Sequence, residues 1–64
     1  MNNADTDDTR RRRDLIMVTR FTAIHRDEPG AKGVDTAARL RHFIAEARSH
    51  GATDSDIAAA QARA

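Results

Sequence analysis

The stretch RSHGATDSDI, residues 48–57, decides the fold because it contains both the end of one helix and the start of another. Gly51 can take a positive φ angle at no steric cost, and such a glycine commonly ends an α-helix. Thr53 and Asp56 follow at the spacing of a capping box, with Asp in place of the usual Glu. The stretch therefore predicts two helices that are joined by a tight turn.

The two helices of this hairpin are predicted at about residues 35–50 and 53–63. In the first helix, Asp35 or Thr36 can serve as the N-cap. Its apolar residues recur at helical spacing; they are Ala37, Leu40, Phe43, Ile44 and Ala47. The second helix is short, and Ile57 is its single large apolar residue. Because a helix of this length is marginally stable alone, it must pack against another helix through Ile57 and its alanines.

The segment before the hairpin can form either a helix or a strand. It ends in DEPGAKGV, residues 27–34, where Pro29 disfavours a helical conformation for the residue before it. The run LIMVTRFTAI, residues 15–24, is rich in β-branched and aromatic residues, which suits a strand. The length of the unbroken run and the aspartates before it suit a helix at about residues 9–26. We favour the helix, although neither periodicity is clean.

These elements predict an all-α fold, a small three-helix domain at residues 9–64 with a C-terminal helical hairpin. The alternative is a strand at residues 15–24 that is followed by two helices. Residues 1–8, MNNADTDD, are polar and acidic with little to bury, and they predict a disordered tail.

The composition excludes several kinds of site. The chain of 64 residues has no cysteine, which rules out disulfides, thiolate metal sites and a cysteine nucleophile. The histidines lack helical metal-site spacing and the serines lack a nearby base, so we expect no metal, no cofactor, no small-molecule substrate and no enzymatic activity. No apolar run approaches the roughly 18 residues of a membrane span, and the N-terminus does not resemble a secretory signal. We therefore expect a cytoplasmic protein without membrane contact.

An arginine run, TRRRRD at residues 9–14, is the sharpest local feature. Arginine suits bidentate contacts to phosphate, and each such contact releases counterions and adds affinity that does not depend on sequence. The candidate nucleic-acid contacts are Arg10, Arg11, Arg12, Arg13 and Arg20. The alternative is a solvated first turn, in which flanking aspartates neutralise the arginines. The net charge of +1 adds no support to nucleic-acid binding.

The apolar block LIMV, residues 15–18, follows the arginines directly. A helix through this block is apolar on more than one side, and the chain has few large apolar residues with which to cover it. Small chains without disulfides or metals often complete such cores by association. We therefore expect a homodimer or a complex with another protein, with Leu15, Ile16 and Phe21 as the candidate interface.

Residues 40–64 have the pattern of an amphipathic helix that ends at a glycine, a turn with a Ser or Thr cap, and a second helix that opens with an apolar residue. The residues at these places are Leu40, Ile44, Ala47, Gly51, Ser55, Ile57 and Ala60. The segment thus resembles the helical hairpin of ribbon-helix-helix DNA-binding proteins. The resemblance implies a dimer in which a strand before the first helix reads the DNA major groove. Only MVTRFT, residues 17–22, could serve as that strand, and the linker at residues 25–34 is longer than in that family.

The sequence thus predicts a small regulatory protein without enzymatic activity, for which two functions stand. The first is binding of duplex DNA through the basic N-terminal patch, in transcription regulation. The alternative is a protein–protein interaction module, an adaptor or an inhibitor, that buries an apolar helix against a partner.

Overall fold

The computed structural model describes residues 3–27 and 31–64. The helices of this part are α1 (Asn3–Asp27), α2 (Ala31–Ser49) and α3 (Asp54–Ala62). No strand occurs among the described residues. The predicted all-α architecture with a C-terminal helical hairpin is therefore confirmed.

Residues 15–24 lie inside α1, so the alternative of a strand at this place is wrong. Asp14 and Val18, one helical turn apart, are both buried, with 5% and 0% of their surfaces exposed. In a strand, alternate residues share a face, and Ile16 would be buried with them. Instead, Ile16 is 62% exposed. The helical period therefore decides which side chains of this segment enter the core.

The start of α1 at Asn3 lies before the predicted start at about residue 9. Asp8 helps to explain the longer helix, because its carboxylate pairs with arginines one turn further along. Arg11 contacts its Oδ1, and the Nη2 of Arg12 lies 3.3 Å from its Oδ2. Pairs at this spacing stabilise a helix. The predicted disorder of residues 1–8 stays a prediction.

In the connection from α1 to α2, the end of α1 agrees with the prediction, whereas α2 begins earlier than predicted. The end of α1 at Asp27 agrees with the predicted end at about residue 26, and residues 28–30, at the centre of the predicted break, lie outside the described residues. The start of α2 at Ala31 lies before the predicted start at about residue 35. Asp35 and Thr36 are therefore inside the helix, and their prediction as its N-cap is wrong. Extending a helix by a residue adds a hydrogen bond, so an early start is favourable once the helix has formed.

The turn after α2 has the geometry that its glycine predicts. Gly51 has a φ of 97° and lies two residues after Ser49, the last residue of α2. The N–H of Ala52 donates to the carbonyl oxygen of Ala47 at 2.8 Å, which satisfies one of the free carbonyls at the helix end. A Cβ atom on residue 51 would lie only 3.2 Å from Nη1 of Arg11. Both the backbone angle and the nearby guanidinium therefore favour glycine here.

The start of α3 is a capping box, as predicted. The hydroxyl of Thr53 accepts from the N–H of Asp56 at 3.1 Å, and the N–H of Thr53 donates to the carboxylate of Asp56 at 3.0 Å. The bond from this N–H is the main reason why the pKa of Asp56 lies below its usual value. Ser55, which the ribbon-helix-helix pattern places at the cap, lies inside α3.

Contacts along α1 show how the helices run. Phe21 stacks on Phe43 of α2 with ring centroids 5.5 Å apart, and Asp14 meets His50 beyond the end of α2, so these two helices are antiparallel. On another side of α1, the hydroxyl of Thr19 donates to a carbonyl oxygen near the end of α3 at 2.7 Å. α1 therefore packs against both helices of the hairpin.

The core lies where the hairpin meets α1. Its buried apolar residues are Val18, Ala47, Ala52, Ile57 and Ala60, and half-buried neighbours cover them. The expectation that α3 packs through Ile57 is confirmed, and of its alanines Ala60 is buried whereas Ala58, Ala59 and Ala62 are exposed. Because alanines supply much of this core, the helices can approach closely, but little apolar area is removed from water per residue.

Candidate interaction groove

An open groove of about 810 Å³ runs between α1 and the end of α3. Its floor is apolar and is formed by Leu15, Ile16, Ala23 and Ile24. Three basic side chains also line it, namely Arg12, Arg20 and Arg63. This volume lies within the range of binding pockets, roughly 300–1,000 Å³. We refer to this feature, with its apolar floor and arginine rim, as the groove.

Helical spacing explains why these side chains of α1 stand together. Arg12, Ile16 and Arg20 are separated by one turn each, so they occupy one side of α1. Val18 is buried on the opposite side, against the hairpin. Ile16 consequently faces solvent from the floor of the groove, which is unusual for a large apolar side chain beside other apolar groups.

The charges of the rim arginines are little compensated by ion pairs with described residues. Arg12 lies 3.3 Å from Asp8, but its side chain is 78% exposed, so water weakens this pair. Arg20 and Arg63 form no ion pair with any described residue. Among the described residues that line the groove, none has an acidic side chain. The groove therefore combines an apolar floor with a positively charged edge.

Arg11, a predicted nucleic-acid contact, points toward the hairpin instead. Its guanidinium contacts the carboxylate of Asp8 and lies 3.5 Å from the carbonyl oxygen of His50. It also stands beside Gly51, as described above. Arg11 thus holds the first turns of α1 to the turn between α2 and α3, and its charge is partly neutralised there.

The other predicted nucleic-acid contacts are distributed differently. Arg10, Arg13 and Arg20 are exposed and have no ion pair with a described residue. Arg12 is exposed and weakly paired. Within the arginine run, Arg11 therefore points toward the hairpin, and the other arginines point toward solvent.

The three predicted interface residues also have different surroundings. Ile16 is exposed on the floor of the groove, and Leu15 is half-buried between the groove and the core. Phe21 is half-buried and stacks on Phe43, at an interplanar angle of 11°. The structure thus places Leu15 and Ile16 together in the groove, whereas Phe21 contributes to the packing of α1 on α2.

Sequence reasoning missed a buried polar pair, Asp14 and His50. The Oδ2 of Asp14 lies 2.7 Å from Nδ1 of His50, and both side chains are largely shielded from water. The two residues are 36 positions apart, so no local pattern joins them. Asp14 precedes Val18 by a single turn, but the sequence does not show that this side of α1 faces inward. The pair joins α1 to the hairpin, and no cluster of three metal-ligating side chains occurs in the described part of the chain.

No family model matches this chain, and searches of curated proteins and of solved structures find no similar protein. Among the described helices, none combines the length and the apolar character that a membrane span requires.

Proposed function

We propose that this chain is a small, non-enzymatic protein-interaction module that binds an apolar helix of a partner in the groove. The observation that carries the proposal is the exposed position of Ile16 on an apolar floor to which Leu15 and Ile24 also belong. A helix that lays its apolar side into a hydrophobic groove is a recurrent mode of protein recognition.

The dimensions of the groove support a helical ligand. Its lining on α1 extends from Arg12 to Ile24, which corresponds to about 18 Å along the helix axis. This length accommodates roughly three turns of a partner helix. The groove is open to solvent, and an elongated ligand can cover more of it than a compact small molecule can.

Ile16 is the expected anchor of the interaction. Full burial of an isoleucine side chain contributes roughly 1.5–3 kcal/mol, and about 1.4 kcal/mol corresponds to a tenfold change in affinity. Because most of Ile16 is exposed in the free chain, much of this contribution remains to be gained on binding.

The test compares the same substitution inside and outside the groove. Ile16→Asp is expected to abolish binding to synthetic helical peptides with a leucine-rich face, measured by fluorescence anisotropy. Val34→Asp is the matched control, because Val34 is 68% exposed and does not line the groove. Circular dichroism checks that both variants keep their helices. The proposal fails if no peptide binds the parent chain, or if both variants lose binding equally.

A second candidate function, binding of nucleic acid, is favoured by the outward arginines. We propose that Arg10, Arg13 and Arg20 contact phosphates of duplex DNA, because they are exposed and form no ion pair with a described residue. Since residues 15–24 are helical, the base-reading strand of ribbon-helix-helix proteins has no counterpart at this place. Binding should therefore depend on charge more than on DNA sequence.

Gel retardation at several salt concentrations tests this second function. Affinity should fall linearly with salt on logarithmic axes, and each of the substitutions Arg10→Ala, Arg13→Ala and Arg20→Ala should reduce the slope by about 0.9. Arg41→Ala, on the exposed surface of α2, is the control. Absence of any retarded band at low salt excludes this function.

A further inference from the structure

We infer that the groove selects a partner helix that is acidic beside its apolar face. This inference rests on the proposed function, since it specifies the chemistry of the same ligand. It follows from the composition of the groove, in which arginines border an apolar floor and none of the described lining residues is acidic. A basic partner helix would meet like charges at the rim, whereas an acidic one would be attracted.

The spacing of the arginines defines the pattern that the partner should carry. Arg12 and Arg20 lie on the same side of α1, about 12 Å apart along its axis. A partner helix that runs beside α1 presents acidic residues to both of them at positions i and i+7 or i+8. Arg63 approaches the groove from α3, so an acidic residue on the other edge of the apolar face would meet it.

A second copy of this chain fits the groove less well. Two identical grooves that face each other across a two-fold axis would bring the arginine rims of both copies together. With Arg20 and Arg63 unpaired within the described residues, this arrangement places like charges in contact. The groove therefore favours a different protein over self-association.

Nucleic acid also fits the groove poorly. Proteins that bind single strands stack bases on aromatic side chains, and the described part of the chain contributes no aromatic residue to this groove. Phe21 is turned to Phe43 instead. A phosphate backbone could reach Arg20 but would leave Ile16 uncovered. Only a ligand with both apolar and acidic groups can contact the apolar floor and the charged rim at the same time.

The experiment uses three synthetic helical peptides that share leucines at positions i, i+3, i+4 and i+7. They differ in the residues beside this apolar face, which are Glu, Gln or Lys. At low salt, the Glu peptide should bind the full chain roughly threefold to a hundredfold more tightly than the Gln peptide, as expected for three exposed ion pairs. The Lys peptide should bind most weakly, and the differences should shrink at high salt.

Substitutions separate the charge of the rim from the apolar floor. In the triple variant Arg12→Gln, Arg20→Gln and Arg63→Gln, the Glu and Gln peptides should bind equally, because the rim no longer carries a positive charge. A control variant with Arg39→Gln and Arg41→Gln, both exposed on α2, should keep the preference for Glu.

Each result has a defined meaning. Equal binding of the Glu and Gln peptides by the parent chain overturns this inference but leaves the proposed function intact. Absence of binding by all three peptides overturns the proposed function as well. Dimerisation that Ile16→Asp abolishes in sedimentation experiments would show that a second copy occupies the groove. Binding that is restricted to phosphatidylserine vesicles or to duplex DNA would assign the rim to a lipid surface or a nucleic acid, against the inference.

Discussion

The two sides of α1 carry similar residue types in different surroundings. On the packed side, Arg11 contacts the turn of the hairpin and Val18 is fully buried. On the groove side, Arg20 is unpaired with any described residue and Ile16 faces solvent. An arginine and a β-branched aliphatic residue thus serve as internal contacts on one side and as an open surface on the other. The position of a residue around the helix axis, more than its type, decides its role.

This difference indicates that stability and binding can be altered separately in one helix. Substitutions on the packed side should change the free energy of unfolding. Substitutions on the groove side should leave it unchanged and should alter affinity for a partner. The following predictions test that separation, in order of decreasing effect.

The largest effect is expected for Val18→Asp. The substitution removes a buried side chain worth roughly 1.5–3 kcal/mol and places a carboxylate in the core, which costs several kcal/mol more. In so small a core, we expect the helical circular dichroism signal to be lost at 25 °C. The matched control is Ile16→Asp, which should retain the signal because residue 16 is exposed. Equal helicity of the two variants would contradict the distinction between the two sides.

The second effect is expected for Asp14→Ala. This change removes the carboxylate that lies 2.7 Å from His50 and leaves a shielded imidazole nitrogen without its partner. The free energy of unfolding, measured with urea, should fall by about 1–3 kcal/mol. Asp7→Ala, an exposed site on α1, should change it by less than about 0.5 kcal/mol.

A double-mutant cycle then tests whether Asp14 and His50 act together. If they do, His50→Ala should cost less in the Asp14→Ala background than in the parent chain. Additive effects of the two substitutions would show that the pair does not contribute as a unit.

A smaller effect is expected within the arginine run. Arg11→Ala removes contacts to Asp8 and to the carbonyl oxygen of His50, so it should lower the free energy of unfolding by about 0.5–1.5 kcal/mol. Arg10→Ala and Arg13→Ala should change it by less than about 0.5 kcal/mol, because both side chains are exposed. Thermal denaturation of the three variants measures the ranking. An equal response at all three positions would mean that Arg11 is not distinct from its neighbours.

The smallest effect concerns pH at the start of α3. The N–H of Thr53 lowers the pKa of Asp56, and nearby Arg11 lowers it further to a lesser extent. The pKa in the folded chain therefore lies below that in the unfolded chain. The resulting stability is present above the unfolded-state pKa, near 4, and is lost as the pH falls through the folded-state pKa.

Urea denaturation between neutral and acidic pH measures this contribution. The stability of Asp56→Asn should depend less on pH in the acid range than that of the parent chain. Asp35→Asn, an exposed site on α2, serves as the control and should follow the parent. If the Asp56→Asn curve also follows the parent, the capping carboxylate does not carry the predicted pH dependence.

The turn between α2 and α3 could be predicted in detail because its interactions are local. The capping box joins Thr53 to Asp56, three residues later, and the positive φ angle belongs to Gly51 itself. The start of α2 could not be predicted as well. Asp35 and Thr36 have strong capping potential, but the helix extends through them to Ala31, because local capping preferences compete with the gain from a longer helix.

The candidate site could be predicted only in part. Leu15 and Ile16 were predicted as interface residues from the apolar block, and both line the groove. Arg12 and Arg20 were predicted as nucleic-acid contacts, and both line the groove. Arg63 was not predicted, because only the packing of α3 on α1 brings it to the groove. The inward direction of Arg11 depends likewise on where the hairpin packs.

The sequence by itself determined that the C-terminal hairpin is helical, where it turns, and how α3 begins. Those features depend on the φ angle of one glycine and on hydrogen bonds between residues within a few positions of each other. Only the tertiary structure decided which side of α1 is buried, that Asp14 meets His50, and that Arg11 faces inward. These contacts join residues 36 and 39 positions apart. Their geometry arises when the hairpin packs on α1, and no local pattern contains it.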